Sequence, residues 1–220
     1  MIEHFQIVLG EWHAFASGFG NTIWICTISA VASLALAIPT AALMMSRHAM
    51  IRVPIQVGVD VIRAIPFLML VFLGYYCLPG LGVRLSSWAC GLGSMVVYNT
   101  AYFAEILRGA WAHLPREQEE AGRAFGYTGA GLYTRIILPQ ILISAGPVLG
   151  NQTITLIKNS AFLMVITIPE LTFMANQVQA IYFIPFETML TAVALYWAIC
   201  SGIEWTVRVM DRVALERGHE

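Results

Sequence analysis

The sequence predicts an all-α integral membrane protein with five transmembrane helices, and three observations support this prediction. Of the 220 residues, 58% are apolar and only 11% are charged, whereas a soluble domain carries about 25% charged residues. Several stretches with few or no charges approach the roughly 20 residues that an α-helix needs to cross the hydrocarbon layer. The basic residues are concentrated in alternate connecting segments, as expected for a multi-span protein.

The predicted spans cover about residues 22–45, 57–78, 88–107, 141–168 and 188–207. The first contains no Lys, Arg, Asp or Glu, so it is the clearest of the five. The second span carries Asp60 and Arg63 near one end, and the third span ends at Glu105 and Arg108. The fourth is long and contains one charged residue, Lys158.

The positive-inside rule orients these spans. If the N-terminus is periplasmic and the C-terminus cytoplasmic, ten of the 12 Lys and Arg residues lie in cytoplasmic segments or span ends. These ten are Arg47, Arg52, Arg63, Arg108, Arg116, Arg123, Arg135, Arg208, Arg212 and Arg217. We therefore predict a periplasmic interfacial segment at 1–21, a transmembrane domain at 22–207 and a cytoplasmic tail at 208–220. The first segment is acidic and mixes apolar and polar residues, which favours an amphipathic helix at the membrane surface over a cleaved signal.

A charged, glycine-containing segment at about 110–140 lies between the third and fourth predicted spans, on the cytoplasmic side. Pro115 suits the first turn of a helix. Glu117, Glu119 and Glu120 follow it, and their charges favour the positive N-terminal end of that helix. Gly126 is expected to end the helix in a left-handed conformation.

A second short helix is expected to begin after Thr128 and to end before Pro139. Together the two helices predict a compact helix–turn–helix with charged flanks that binds another protein. The alternative is a solvated loop whose amphipathic helices rest on lipid headgroups.

Signatures of enzymes are absent from the sequence. No GxxxxGK[ST], HExxH or GxSxG motif occurs, so the chain offers no phosphate-binding loop, zinc pair or nucleophile elbow. The cysteines and histidines show no metal-ligand spacing, and we predict no metal or cofactor. Buried free thiols are favoured for the cysteines, although a disulfide between Cys77 and Cys90 is conceivable.

Lys158 is the most informative residue within the predicted spans, because a charge in lipid normally faces a cavity or a partner. We hypothesise that Lys158, Asn159 and Ser160 line a substrate pathway. A structural pair between Lys158 and a backbone carbonyl, Glu105 or Glu170 is the alternative.

Arg63 and Asn99 are further candidates for the pathway. An ion pair with Asp60, one helical turn away, is the favoured alternative for Arg63. Hydrogen bonding between helices is the favoured alternative for Asn99.

Several stretches resemble one known family, in the family's order. They are Arg63–Pro66, Ala101–Glu105 with Arg108–Gly109, Glu120–Gly126, Ile136–Gln140, Pro147–Asn151, Leu156–Ser160 and Glu170–Leu171. These are similar to the RGTP, AYxAExxRG, EAA, IILPQ, PxLxN, LxKxTSL and EL stretches of bacterial ABC-importer permeases for polar amino acids, the histidine/glutamine/arginine type. The resemblance covers about residues 20–215.

The resemblance implies the fold of an ABC type I importer permease in the bacterial inner membrane. It implies a chain without ATPase activity that moves a polar amino acid with energy from ATP hydrolysis in partner subunits. The implied partners are two ATP-binding subunits, a periplasmic amino-acid-binding protein and a second permease, either another copy or a paralogue. No nucleic-acid partner is expected. The implied ATPase-docking residues are Glu117, Glu119, Glu120, Ala121, Gly122, Arg123, Ala124, Phe125 and Gly126.

The chain departs from the family pattern in three stretches. In the EAA stretch, Gly122 replaces the second Ala and Phe125 replaces the usual Leu. Ala64 and Ile65 occupy the Gly and Thr positions of RGTP, which removes a hydroxyl. In the LxKxTSL stretch, Asn159 replaces the common Asp, and Ser and Ala follow it. These departures leave the transport role intact and the identity of the substrate open.

Two other functions compete with this interpretation. A stand-alone secondary transporter is expected to show internal repeats and ion-coupling acids at midspan, and neither is visible in the sequence. A purely structural membrane subunit would need neither Lys158 nor the charged helix–turn–helix.

Overall fold

The computed structural model describes the backbone of residues 2–217 and the side chains of residues 4–209. The end of the predicted cytoplasmic tail, with the side chains of Arg212 and Arg217, lies outside the described residues, as does the side chain of Glu3.

Residues 2–217 are helical and contain no β-strand, which confirms the all-α prediction. The helices are α1 (Ile2–Gly10), α2 (Trp12–Met44), α3 (Ala49–Ala64), α4 (Phe67–Phe72), α5 (Ser87–Ala112), α6 (Arg116–Ala124), α7 (Gly129–Leu132), α8 (Leu138–Ser160), α9 (Leu171–Tyr182) and α10 (Pro185–Arg217). A π-helical turn (Leu73–Cys77) and a 3₁₀ turn (Leu78–Leu81) follow α4. A second π turn (Tyr133–Ile137) joins α7 to α8, and a 3₁₀ turn (Ala161–Ile166) follows α8.

Within the described residues, three helical runs are long and apolar enough to cross a membrane: Trp12–Met44, Gly129–Ile166 and Pro185–Val209. The bent pair Ala49–Ala64 and Phe67–Leu81 adds a fourth crossing if its halves form one span. Helix α5 has 26 residues and is long enough, but the polar residues around Asn99 make it less apolar. The count of five spans therefore stays a prediction, as do the sides on which the termini lie.

The predicted span at 57–78 is not one continuous helix. Helix α3 ends at Ala64, and α4 begins at Phe67 after Pro66, whose φ of −58° and ψ of 138° are not helical. Proline has no N–H to donate, and its ring disfavours the helical conformation of the preceding residue. Pro66 therefore divides this apolar stretch into two helices.

The prediction that the second helix of the charged segment ends before Pro139 is wrong. Helix α7 continues through the π turn Tyr133–Ile137 into α8, in which Pro139 is the second residue. A π turn shifts the hydrogen-bond register and leaves backbone groups unpaired. A proline placed immediately after it loses little, because its missing N–H is not needed there.

The chain divides into two compact units. The first unit comprises residues 1–31, 65–96 and 153–203, and the second comprises residues 32–64, 97–152 and 204–220. The second unit contains the charged segment. Its core packs Ala37 and Ala41 of α2 and Leu107 of α5 against Ile137 and Ile141. Small residues on α2 allow this close packing, as is common between membrane helices.

In the first unit, the start of α9 is fastened to α2. Asn21 donates from Nδ2 to the Pro169 carbonyl at 2.8 Å, and the Leu171 N–H donates to Thr22 Oγ1 at 3.0 Å. A Cβ added to Gly18 would lie 3.0 Å from the Leu171 Cα. Gly18 therefore permits a backbone approach that a larger residue would oppose.

Helix α1 packs against the last two helices of the first unit. Val8 of α1 and Phe15 of α2 are buried in a core with residues of α9 and α10. His4 Nδ1 lies 3.0 Å from Glu187 Oε1, and the Tyr182 hydroxyl donates to Glu11 Oε1 at 2.6 Å. The predicted interfacial segment at 1–21 is thus divided between α1 and the first turns of α2. Its placement at the periplasmic membrane surface stays a prediction.

We predict that Gly18→Ala lowers the stability of the protein in detergent, by about 1–3 kcal/mol, because overpacking at a close backbone contact is costly. The measurement is the thermal unfolding midpoint, followed by intrinsic tryptophan fluorescence. Gly20→Ala is the matched control, since a Cβ there meets no atom within 4 Å. Equal midpoints for the two variants would contradict the close approach of α2 and α9.

Candidate functional site

Helix α6 is the centre of the charged segment, and its ends follow the prediction. Pro115 precedes the helix with φ of −56° and ψ of 132°. Glu117 and Glu119 lie in the first turn and Arg123 in the last, so the charges oppose the helix dipole at both ends. Arg123 also donates from Nη2 to Glu119 Oε1 at 2.6 Å, across one helical turn.

The C-terminal end of α6 leaves an aromatic side chain exposed to solvent. The left-handed stop predicted at Gly126 is confirmed, with φ of 84°. The Gly126 N–H donates to the Arg123 carbonyl at 2.9 Å, and the Tyr127 N–H donates to the Gly122 carbonyl at 3.1 Å. Phe125 precedes this turn and is 84% exposed. Phe125 is one of several large apolar side chains that are exposed among the described residues.

Gly122 faces the chain itself. It is buried, and a Cβ added there would lie 2.7 Å from Leu132 Cδ1 and 3.3 Å from Ile136 Cγ1. The glycine therefore lets α6 pack tightly on the helix that leads into α8. Among the predicted docking residues, Gly122 positions the helix, and the exposed members are Glu117, Glu120, Ala121, Arg123, Ala124, Phe125 and Gly126.

Two aromatic residues at the flanks of the charged segment anchor it to α2 within the second unit. Trp111, at the end of α5, stacks on Tyr133 with ring centroids 5.0 Å apart. The Tyr133 hydroxyl donates to the Ile38 carbonyl of α2 at 2.7 Å. The sequence pattern did not predict these anchors. The only signal for them was an aromatic residue on each side of a polar segment.

A hollow of about 310 Å³ opens beside the N-terminal end of α6. Trp111, Leu114 and Pro115 provide apolar walls, and Arg116 and Glu119 provide charged groups. This combination suits a side chain with an apolar stem and a polar end.

Arg63 belongs to a larger charge network than the predicted pair. Its Nη1 lies 3.5 Å from Asp60 Oδ1 and 3.8 Å from Glu105 Oε1. Its guanidinium also lies over the ring of Tyr102, 5.5 Å from the centroid. Glu105 is held more closely by Arg108, which donates to both carboxylate oxygens at 2.7 Å. Arg63 is therefore stabilised by long contacts on several sides.

Asn99 is fully buried in the second unit. Its Oδ1 accepts a hydrogen bond from Gln152 Nε2 of α8 at 3.3 Å. This contact joins α5 to α8, in agreement with the alternative of hydrogen bonding between helices.

Lys158 lies in the last turn of α8 and is exposed in this single chain. Among the described side chains, its ammonium forms no ion pair or hydrogen bond. The carboxylates considered as its partners are used elsewhere: Glu105 binds Arg108, and Glu170 caps α9. The neighbouring Asn159 is partly exposed. Ser160 is buried, and its hydroxyl donates to the Ile157 carbonyl at 2.7 Å.

The four cysteines are free thiols, with Cys26 and Cys90 buried, Cys200 partly buried and Cys77 exposed. Among the described residues, no group of three or more His, Cys, Asp or Glu residues is placed to hold a metal ion.

The described residues form an all-α protein with long apolar helices and an exposed, charged helix that packs on its own chain. The fold is similar to that in the crystal structure of an amino acid ABC transporter with histidines, with a TM-score of 0.85, 26% identity, and 93% of this chain and 96% of that chain covered.

Residues 33–214 match the family described as the inner membrane component of binding-protein-dependent transport systems, and the chain belongs to this family. Two relatives come from Bacillus subtilis (strain 168). A probable amino-acid ABC transporter permease, YckA, is 31% identical, with 91% of this chain and 85% of the relative covered. A probable glutamine ABC transporter permease, GlnM, is 29% identical, with 94% of this chain and 96% of the relative covered.

We predict that Tyr133→Phe destabilises the protein by about 1 kcal/mol, the usual net contribution of a hydrogen bond. The change removes the hydroxyl that joins the charged segment to α2 and keeps the ring on Trp111. Thermal unfolding in detergent measures the loss. Tyr127→Phe serves as the control, because no hydrogen bond of that hydroxyl is found among the described residues. A loss of the same size in both variants would show that the Tyr133 hydrogen bond does not hold the segment.

Proposed function

We propose that this chain is the permease subunit of an importer that moves a polar amino acid into the bacterial cytoplasm, driven by ATP hydrolysis in partner subunits. The observation that carries the proposal is the family match over most of the chain, together with relatives named as amino-acid permeases. The chain itself has no ATPase role in this scheme. A stand-alone secondary transporter is not favoured, because the family consists of components that work with a binding protein.

The ATP-binding subunits are proposed to dock on α6. Its exposed face offers Glu117, Glu120 and Arg123 for charge pairing and Phe125 as an apolar anchor. Interfaces of this kind usually draw most of their binding energy from a few aromatic or arginine side chains. The hollow beside Arg116 and Glu119 adds a concave surface next to this face.

A movement of α6 is proposed to pass directly to the membrane-embedded helices. Gly122 packs on Leu132 and Ile136, so α6 cannot slide without displacing the helix that continues into α8. Tyr133 fixes the same region to α2. ATP-driven closure of the docked subunits then biases the spans between outward and inward access, as a rigid-body change between two states.

The proposed pathway uses the polar residues of the spans, Lys158, Asn159, Ser160, Arg63 and Asn99. Lys158 is the strongest member, because its ammonium is exposed and lacks a counter-ion among the described side chains. Ser160 and Asn99 are buried and engaged in hydrogen bonds, so they are proposed to shape the pathway. A second permease, another copy or a paralogue, completes the pathway, and a periplasmic amino-acid-binding protein delivers the substrate.

The proposed topology has five spans, a periplasmic N-terminus and a cytoplasmic C-terminus. It places segment 1–21 at the outer surface, the coupling segment at about 110–140 in the cytoplasm and the tail at 208–220 in the cytoplasm. The distribution of basic residues supports it.

Phe125→Ala is expected to weaken binding of the ATP-binding subunit about 30-fold, since truncating an aromatic anchor costs about 2 kcal/mol. The measurement is the amount of ATP-binding subunit that co-purifies with the tagged permease, followed by a binding titration in detergent. The matched control is Phe183→Ala, because Phe183 is 85% exposed and also follows a helix end, but lies after α9. Unchanged binding in Phe125→Ala, or equal losses in both variants, would exclude Phe125 as the anchor.

Cysteine labelling tests the topology. Cys26, Cys77, Cys90 and Cys200 are first replaced, and single cysteines are then introduced as Arg84→Cys and Thr128→Cys. A membrane-impermeant maleimide is expected to label Arg84→Cys on intact spheroplasts, and Thr128→Cys only after the membrane is permeabilised. Labelling of Thr128→Cys from the outside would reverse the proposed orientation and remove α6 as an ATPase-docking helix.

A further inference from the structure

Two tryptophans of the first unit are in contact beside an open hollow. Trp24 of α2 and Trp88 of α5 have ring centroids 5.6 Å apart and an interplanar angle of 86°. The hollow has a volume of about 400 Å³ and is lined by Gly20, Asn21, Trp24 and Trp88. We propose that it binds the headgroup of a phospholipid with a primary ammonium, the ethanolamine class, at one surface of the membrane.

The hollow lies at a predicted boundary between lipid and water. Trp24 is the third residue of the predicted span at 22–45, and Trp88 is the first residue of the predicted span at 88–107. Consecutive spans run in opposite directions, so the first and third spans begin at the same surface of the membrane. The contact between the two rings agrees with this arrangement. Tryptophans are common at such boundaries, where lipid headgroups lie.

The aromatic rings supply a surface that attracts cations. In an edge-to-face pair, only one face of one ring is covered by its neighbour. Trp24 is 52% exposed, so part of its ring surface is free for a ligand. A cation over an indole face is attracted by the ring quadrupole, and more strongly where water is partly excluded. None of the four lining residues is charged, so no positive group in the lining opposes a bound ammonium.

Asn21 distinguishes a primary ammonium from a quaternary one. Its Nδ2 donates to the Pro169 carbonyl at 2.8 Å, and because a carbonyl only accepts, this contact fixes the orientation of the amide. No hydrogen bond of its Oδ1 is found among the described residues. This oxygen is therefore an acceptor for the N–H groups of a primary ammonium, whereas a choline headgroup has no N–H to donate.

The indole N–H groups suit the phosphate of the same headgroup. An indole nitrogen only donates hydrogen bonds, and within the described part of the chain neither Trp24 nor Trp88 uses its N–H in one. A phosphate oxygen is a strong acceptor for such a donor. The hollow thus offers ring faces and an amide oxygen to the ammonium, and N–H donors to the phosphate, as a zwitterionic ethanolamine headgroup requires.

The experiment measures lipid binding to the full-length permease, delipidated in detergent, by native mass spectrometry. The probes are dioleoyl phosphatidylethanolamine, dioleoyl phosphatidylcholine and dioleoyl phosphatidylglycerol, added at equal mole fractions. These three lipids share their acyl chains, so differences in binding report on the headgroup.

Two variants change the hollow in different ways. Trp24→Leu keeps an apolar side chain and removes the ring face. Gly20→Leu fills the hollow and keeps both indoles, since a Cβ at Gly20 meets no atom within 4 Å. Trp197→Leu is the matched control, because Trp197 is 71% exposed on α10 of the same unit and is not among the residues that line the hollow.

We expect the unmodified permease to bind the ethanolamine lipid about fivefold more tightly than the choline or the glycerol lipid, the size of one cation–π contact or one hydrogen bond. Trp24→Leu and Gly20→Leu are each expected to remove this preference. Trp197→Leu is expected to keep it. Thermal unfolding midpoints confirm that each variant is folded, and if one of the two hollow variants is not, the other decides.

Equal binding of the three lipids, or stronger binding of the choline or glycerol lipid, would overturn the inference. So would a preference that persists in the folded hollow variants, or one that Trp197→Leu also removes. Lipid binding is measured without transport, so the result is independent of the proposed import function.

Discussion

The structure depends on one constraint: a charged or polar group that leaves water is costly unless it finds a partner. Among the described side chains, the buried atoms without a hydrogen bond are Ser29 Oγ, Arg63 Nε and Thr100 Oγ1. Glu170 is fully buried, and its carboxylate is satisfied by two backbone N–H groups and the Tyr196 hydroxyl, the last at 2.6 Å. The same contacts fix the start of α9 and bind it to α10. Glu105 accepts hydrogen bonds from Nε and Nη2 of Arg108 and lies near the more distant Arg63. The hydrogen bond from Tyr196 to Glu170 joins α10 to the start of α9, and the contact of Arg63 with Glu105 joins α3 to α5. Charges left without a partner therefore point to something outside the single chain, a substrate or another subunit.

Helix α6 illustrates how a short polar helix can serve as a stable surface. An isolated helix of nine residues is not stable in water, so its order has to come from packing. Gly122 supplies the close contact on one side, the ion pair between Arg123 and Glu119 spans the last turn, and the left-handed stop at Gly126 ends the helix. The remaining face is free to bind a partner. The aromatic residues Trp111 and Tyr133 then hold the charged segment against α2 in the same unit.

Local signals made α6 predictable: Pro115 before the helix, acids in its first turn and Gly126 at its end. The continuity of α7 with α8 was not predictable, because a proline normally ends a helix and nothing in the sequence announces a π turn. The hydrogen bond from Tyr133 to Ile38 links residues 95 positions apart, and only the packing of the helices brings them together. The pair of Arg63 with Asp60 followed from their spacing, but the contribution of Glu105 did not, for the same reason.

The departures from the family pattern make physical sense at two positions. Gly122 stands where an alanine is usual, and Leu132 approaches so closely that an alanine methyl group would require the side chains to move. Asn159 stands where an acid is usual, next to Lys158 and at the end of the same helix.

Helix α8 has 23 residues and is about 35 Å long. It begins beside the contact with α6 and ends at Lys158 and Asn159, with Pro147 inside it. The helical run Gly129–Ile166 therefore includes both Leu132 and Ile136, which contact Gly122 of α6, and Lys158 and Asn159 of the proposed pathway. In the proposed mechanism, a displacement of α6 acts first on Leu132 and Ile136, and the π turn at Tyr133–Ile137 is a place where the helix register can adjust.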